Sequence, residues 1–269
     1  MDMNGRVLIV AGSDSGGGAG IQADIKTVTC LGGFAATAVT ALTAQNTLGV
    51  EGVHPVPPAF IQQQMRVVLS DLGADCIKTG MLHDRPTIEA VAEVLDAHPD
   101  IPLVVDPVMV AQSGARLLHE DAVDAVLERL VPRAAVVTPN APEAAALTGR
   151  PVNTCDDLDA AAQTLVARGA AAALVKGGHL EGDTLCDVLA TAEEVHSFES
   201  HRIPTQNTHG TGCTLGSAIA AGLAQGRDLL AAVERARAYL HGAIELAPEL
   251  GQGDGPVNHA WTVRPFQMP

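Results

Sequence analysis

Five short apolar runs, rich in β-branched residues, each end in a small, polar or charged residue: RVLIVAGSD (6–14), DCIKTGM (75–81), PLVVDPVM (102–109), AAVVTPN (134–140) and AALVKGG (172–178). A strand with one wet face alternates apolar and polar residues. A run that is apolar throughout suits a strand buried on both faces, as in a parallel sheet. FAATAVTALTAQN (34–46) reads as a sixth strand despite its alanines. Amphipathic helical stretches lie between the strands: RPTIEAVAEVLDAH (85–98), DAVDAVLERLV (121–131) and LDAAAQTLVARG (158–169), the last closed by a glycine stop. Near residues 184–203, LCDVLATAEEVHSFESHRI reads as an antiparallel pair. The alternation predicts an α/β fold, a mostly parallel central sheet with helices on both faces. Aromatics are only 2% of the chain, so the core is expected to be closely packed Ala, Val, Leu and Ile. No linker, repeat or low-complexity tract divides residues 1–269, and one domain is expected.

In open parallel sheets ligands bind beyond the carboxyl ends of the strands. Here those ends carry Gly12, Ser13, Asp14, Lys78, Thr79, Gly80, Asp106, Asn140, Lys176 and Gly177. Loops after strands are polar in any case, so single positions prove little. The set as a whole points to a site along one sheet edge.

Four segments carry candidate chemistry. AGSDSGGGAGIQADIKT (11–27) follows a strand but fits neither G-x-x-x-x-G-K-[ST] nor a clean G-x-G-x-x-G. Its glycines permit close approach of backbone to a ligand, or simply make a turn. Asp24 on the following helix points back into the site or lies on a solvated face. TPNAPEAAALTG (138–149) sets Asn140 and Glu143 three apart. They either hold a hydrated magnesium ion or form a capping box with Pro142 in the first turn. VKGGH (175–179) puts Lys176 at a strand end, where its charge must reach solvent or an anion such as phosphate.

THGTGCT (208–214) places Gly210, Thr211, Gly212 and Cys213 before a helix of small residues. The first amides of a helix lack internal partners and sit at the positive end of its dipole, which makes an anion site. A cysteine there is expected to have a depressed thiol pKa and to serve as a base; otherwise it is an inert small core residue. His209 is a candidate nucleotide contact or an ordinary loop histidine.

The formal charge of −15 opposes phosphate backbones and anionic lipid, which argues against nucleic-acid and membrane partners. Five scattered cysteines without a C-x-x-C pair argue against a disulfide framework or structural zinc and for a reducing compartment. The N-terminal apolar run is too short for a signal peptide, and no stretch is long enough to span a bilayer. A cytoplasmic location is expected.

Taken in order, AGSDSGGGAGIQADIKT, TALTAQNT, KTGML, VVDPVM, TPNAPEA, VKGGH and NTHGTGCT cover nearly the whole length. In them the chain resembles the ribokinase-like superfamily, and within it the hydroxymethylpyrimidine and phosphomethylpyrimidine kinases of thiamine biosynthesis. The resemblance implies a three-layer sandwich. The implied activity is ATP- and Mg2+-dependent phosphorylation of 4-amino-5-hydroxymethyl-2-methylpyrimidine and then of its monophosphate, by a homodimer. Gly12, Asp24, Gln45, Met81 and Cys213 would surround the pyrimidine. Asp106, Asn140, Glu143, Lys176, His209, Thr211 and Gly212 would lie on the nucleotide side, with Asn140 and Glu143 holding magnesium through water. Two departures stand out: Ser15 and Gly16 replace a usual Pro-Ser, and Thr43 stands where an aliphatic residue is expected. The nearest rival is a pyridoxal kinase of the same fold. A nicotinamide-dependent oxidoreductase explains neither VKGGH nor THGTGCT, and a non-catalytic binding protein would show no ATP turnover.

Overall fold

The computed structural model describes residues 3–111, 114, 117–119 and 121–264. Its strands are β1 (Arg6–Asp14), β2 (Phe34–Asn46), β3 (Gly49–Pro55), β4 (Cys76–Thr79), β5 (Leu103–Val105), β6 (Val136–Val137), β7 (Ala172–Lys176), β8 (Thr184–Thr191) and β9 (Val195–His201). They form one sheet in the order β3-β2-β1-β4-β5-β6-β7-β8-β9. The six strands β2, β1, β4, β5, β6 and β7 run parallel; β3, β8 and β9 add antiparallel edges. Strand order reverses between β1 and β4, so a crevice opens at the carboxyl ends there.

The helices are α1 (Gly20–Cys30), α2 (Pro58–Asp71), α3 (Arg85–Asp96), α4 (Ala122–Ala125), α5 (Ala141–Thr148), α6 (Cys155–Ala167), α7 (Thr211–Ala224) and α8 (Leu229–Glu245). α4 continues into a π turn, Val126–Leu130, and a 3-10 turn, Val131–Arg133. β1 shows why its residues had to be apolar throughout. Leu8 and Val10 enter the core beneath α2–α6, while Val7, Ile9 and Ala11 enter the core beneath α1, α7 and α8. All five are essentially without solvent exposure. Burying each of the larger ones stabilises the fold by about 1.5–3 kcal/mol. The helices lie on both faces, as the alternation predicts.

The six expected strands and the hairpin are present, with β5 and β6 much shorter than their apolar runs. β3, α2 and α8 were not anticipated, although Ala232, Val233, Ala236, Tyr239 and Ala243 of α8 are buried at helical spacing. Gly49–Pro55 has no fully buried residue and two glycines, and Pro58–Asp71 buries only Ile61 and Met65 fully, so neither carries a strong periodic signal. The expectation about cysteines is corrected in one respect. Cys155, which opens α6, and Cys186, on β8, are paired, with their Cα atoms 6.1 Å apart. They are 31 residues apart in sequence and meet because α6 lies against β8, so no spacing motif announces them. Cysteine usage therefore no longer argues for a reducing compartment. Cys30, Cys76 and Cys213 are free. Among the described residues, no helix is long and apolar enough to cross a membrane.

Candidate active site

A cleft of about 1190 Å³ runs along the carboxyl ends of β1, β4, β5, β6 and β7. Of the strand-end set, Lys78, Thr79 and Gly177 do not line it. It is lined by Gly12, Gln45, Met81, Asp106, Asn140, Glu143, Lys176, His209, Gly210, Thr211, Gly212 and Cys213, so the sheet edge gathers all but one of the residues to which the resemblance assigns a role. The exception is Asp24. It is fully buried under the cleft floor, where it accepts hydrogen bonds from Lys78 Nζ at 3.0 Å and Ser217 Oγ at 2.6 Å. It does not line the cleft. Its place on the inner face of α1 turns it to the sheet rather than to a ligand.

The N-terminus of α7 forms the middle of the cleft. Gly210 is the N-cap at φ 84°, and the amides of Gly212 and Cys213 have no protein partner among the described residues. They are free to donate to an anion. Gly210 is required twice over: a side chain there rarely tolerates this φ, and its Cβ would run into the Gly18 carbonyl. The conformational term alone is about 1–2 kcal/mol. Gly210→Ala is expected to lower the melting temperature by at least about 2 °C, at roughly 2–4 °C per kcal/mol. A thermal melt unchanged from wild type would refute this.

The glycine-rich loop does not cradle a ligand with its amides. Those of Gly16, Gly18 and Ala19 donate to the Asp14 carboxylate at 2.8–3.0 Å. His209 Nε2 meets the same carboxylate at 2.8 Å. Burial pushes the Asp14 carboxyl up, but the bonds from His209, Ala19 and Gly16 outweigh it and hold it below its ordinary range. His209 is thus buried on the Asp14 and Gln45 side, its Nε2 3.5 Å from Gln45 Nε2. Sequence reasoning expected it beside the nucleotide.

Gln45 sits at an irregularity in the β2–β3 pairing, a device that re-aims a side chain. Ser15 Oγ both accepts from the Gln45 amide and donates to the Gln45 carbonyl, each at 2.9 Å. The departure at Ser15 therefore anchors Gln45. The Thr43 hydroxyl donates to the Ser13 carbonyl at 2.9 Å, which leaves its methyl as the contact it offers. Ala41, Met81 and Leu117, with Val50, Val53, Val108 and Ala111, form a separate small apolar cluster beside Gln45. An apolar slot with an amide at its rim suits a flat heterocycle with polar edge groups.

The opposite half is charged. Lys176 Nζ lies 3.4 Å from Asp106 Oδ1. Burial lowers the Lys176 pKa, but Asp106, Glu143 and Cys213 raise it further, so the ammonium is kept. The lysine at a strand end thus reached a protein carboxylate first, with an edge on the cleft. Asn140 and Glu143 form the capping box of α5: Asn140 Oδ1 accepts from the Glu143 amide at 2.9 Å and Glu143 Oε2 from the Asn140 amide at 2.8 Å. Burial pushes the Glu143 carboxyl up to about 7, against Lys176. Asn140 and Glu143 each keep acceptor capacity for a hydrated magnesium ion beyond the capping-box bond: Asn140 Oδ1 has a second lone pair, and the Glu143 carboxylate has further acceptor sites.

Cys213 contradicts the expected depressed pKa. Burial pushes its thiol up to about 12; Lys78 opposes this, Asp24 and Asp106 add to it, and the Gly20 amide lowers it. The thiol is protonated at neutral pH in the ligand-free protein. Sequence reasoning also missed the far wing of the cleft. There Asp187 accepts from the Gly177 amide at 3.0 Å and from Arg237 Nε at 2.9 Å, and the Arg237 guanidinium lies 4.8 Å from the Phe198 ring centre. Only the lone carboxylate among the apolar residues of β8 signalled it.

Comparison with known proteins adds an independent line. A family model described as phosphomethylpyrimidine kinase matches residues 14–258. The chain is 53% identical over 255 residues to the thiamine biosynthesis bifunctional protein ThiED of Geobacter sulfurreducens, covering 95% of this chain and 52% of that one, about half its length. It is 50% identical over 261 residues to a hydroxymethylpyrimidine/phosphomethylpyrimidine kinase of Rhizobium meliloti, covering 96% and 97% of the two chains. Its fold is similar to that of an ADP complex of Bacillus subtilis pyridoxal kinase, with a TM-score of 0.89, 35% identity and coverage of 96% and 98%.

Proposed function

The chain belongs to the phosphomethylpyrimidine kinase family, and from that membership and the cleft we propose how it works. It is an ATP-using phosphotransferase of thiamine biosynthesis, phosphorylating 4-amino-5-hydroxymethyl-2-methylpyrimidine and then its monophosphate. The observation that carries the site reading is the pair of unpartnered amides, Gly212 and Cys213, set between a small apolar slot and a lysine-bearing wall. Phosphoryl transfer needs in-line positioning and neutralisation of the moving charge.

The pyrimidine ring occupies the slot of Met81, Val108 and the Thr43 methyl against Gly12, and Gln45 reads its amino-substituted edge. The amides of Gly210, Gly212 and Cys213 and the Lys176 ammonium hold the oxygens of the travelling phosphoryl group, with Asp106 and the Thr211 side chain beside them; the Thr211 amide donates to the Thr208 carbonyl at 3.3 Å. Magnesium would supply charge neutralisation at the nucleotide phosphates, held through water near Glu143. Cys213, in its thiolate form, takes the proton that the hydroxymethyl group gives up. The same reading includes a cytoplasmic location and a homodimer.

Side-by-side assays with the pyrimidine alcohol and with pyridoxal test it, because the pyridoxal kinase likeness is close in fold. A pyridoxal kcat/KM equal to or above that of the pyrimidine would overturn the substrate. Gln45→Leu is expected to raise KM for the pyrimidine alcohol about 10- to 100-fold, the loss of one or two well-placed hydrogen bonds, with a smaller change in kcat. An unchanged KM would remove Gln45 from recognition.

A further inference from the structure

Among the described residues, Lys78 is the largest fully buried side chain that carries a charge, and it does not line the cleft. It lies in β4, all four residues of which are buried, paired in register with Ile9 on the α7 side of the sheet. Its Nζ is 3.0 and 3.1 Å from the two oxygens of Asp24 and 3.8 Å from Asp106 Oδ2. Ser217 Oγ donates to Asp24 from α7. Cys213 and Ser217 are four residues apart and share a helix face. A Cβ on Gly216, on the same helix, would lie 3.4 Å from Lys78 Cε, and a Cβ on Gly80 would lie 3.2 Å from its Nζ. The small residues of α7 and the β4 loop thus let the helix settle directly onto the ammonium.

Buried ion pairs are poor stabilisers; apolar replacements of similar volume are often neutral or better. Stability alone therefore does not account for this pair. We propose that Lys78 is a positioning residue for Cys213: it keeps a fixed positive charge beneath the thiol and, through Asp24 and Ser217, locks α1 to the first turns of α7. A nearby cation favours thiolate, and a nearby carboxylate disfavours it. The charged groups facing Cys213 are Asp24 from α1, Lys78 from β4, and Asp106 and Lys176 at the ends of β5 and β7. Lys78 is the group that opposes the burial of the thiol most strongly. The catalytic half of the inference rests on Cys213 acting as proton acceptor; the electrostatic half does not.

The test reads the thiol itself. Alkylation of Cys213 by iodoacetamide in the ligand-free protein is followed by mass spectrometry at pH 8.5 in wild type, Asp24→Asn, and the Asp24→Asn/Lys78→Met double variant. Asp24→Asn leaves the ammonium without its carboxylate and is expected to react about tenfold faster than wild type. The double variant, in which no charge is left unpaired, is expected to react several-fold slower than wild type. It should also slow phosphorylation of the alcohol about tenfold relative to that of the monophosphate. Equal alkylation rates in Asp24→Asn and wild type overturn the proposal even if the double variant does not fold. The expected alkylation order with an unchanged ratio of the two phosphorylations keeps the electrostatic assignment and overturns the proton-acceptor role instead.

Discussion

Cys213→Ala is expected to slow phosphorylation of the hydroxymethyl alcohol by about two to three orders of magnitude while slowing that of the monophosphate by less than about tenfold. The two acceptors differ in what they must lose before attack. An alcohol has to give up a proton, and a positioned acceptor contributes roughly 10²- to 10⁴-fold to such a step. A phosphate monoester, with a second pKa of about 6, is already mostly ionised at neutral pH and needs no base. The pH dependence should separate in the same way. The ligand-free thiol is held protonated, its pKa pushed up to about 12 by burial. The deprotonated fraction therefore grows with pH throughout the usual assay range. The first-step kcat/KM should rise by up to tenfold per pH unit between about 6.5 and 9, and the second should be flat above pH 7. Single-turnover assays on each substrate measure both. Equal losses in the two steps would make Cys213 a spacer in the pocket wall.

The fold was legible because β1 and its neighbours are buried on both faces, and that leaves a mark in sequence that short loops cannot imitate. Val7, Leu8, Ile9 and Val10 have to be apolar in succession. β3 and α2 escaped notice because their half-exposed faces impose no such demand. At the site, the residues on strand ends and at the head of α7 were readable from type and spacing, since an unpartnered helix start is a property of the chain. Partners in space were not. The spacing of Asn140 and Glu143 fits a cation and a capping box equally, and the structure shows the box. Asp24 carries no sequence sign that its carboxylate turns inward to Lys78. The Cys213 pKa went the wrong way because the helix-start argument counts the dipole and omits burial. Burial is the larger effect here, and the charges of Asp24 and Asp106 add to it.

Lys176→Met should show the opposite pattern to Cys213→Ala, with both phosphorylations falling together by about 10²- to 10³-fold, the usual cost of losing one placed donor at a centre of developing charge. Both steps move the same phosphoryl group past the same ammonium, so no asymmetry between acceptors is available. Lys176 also answers two acids, with its Nζ 3.4 Å from Asp106 and its charge holding down the Glu143 carboxyl. Without it, Glu143 shifts further toward its protonated form, which weakens any magnesium held there through water, and the KM for ATP should rise as well. Lys176→Arg should recover little, because a planar fork cannot take the position of a compact ammonium between Asp106 and the Gly212 backbone. Circular-dichroism melts confirm that each variant is folded before its rates are compared. A folded Lys176→Met enzyme that keeps its rates, or loses only one of the two steps, would move the charge-bearing role in transfer to another residue.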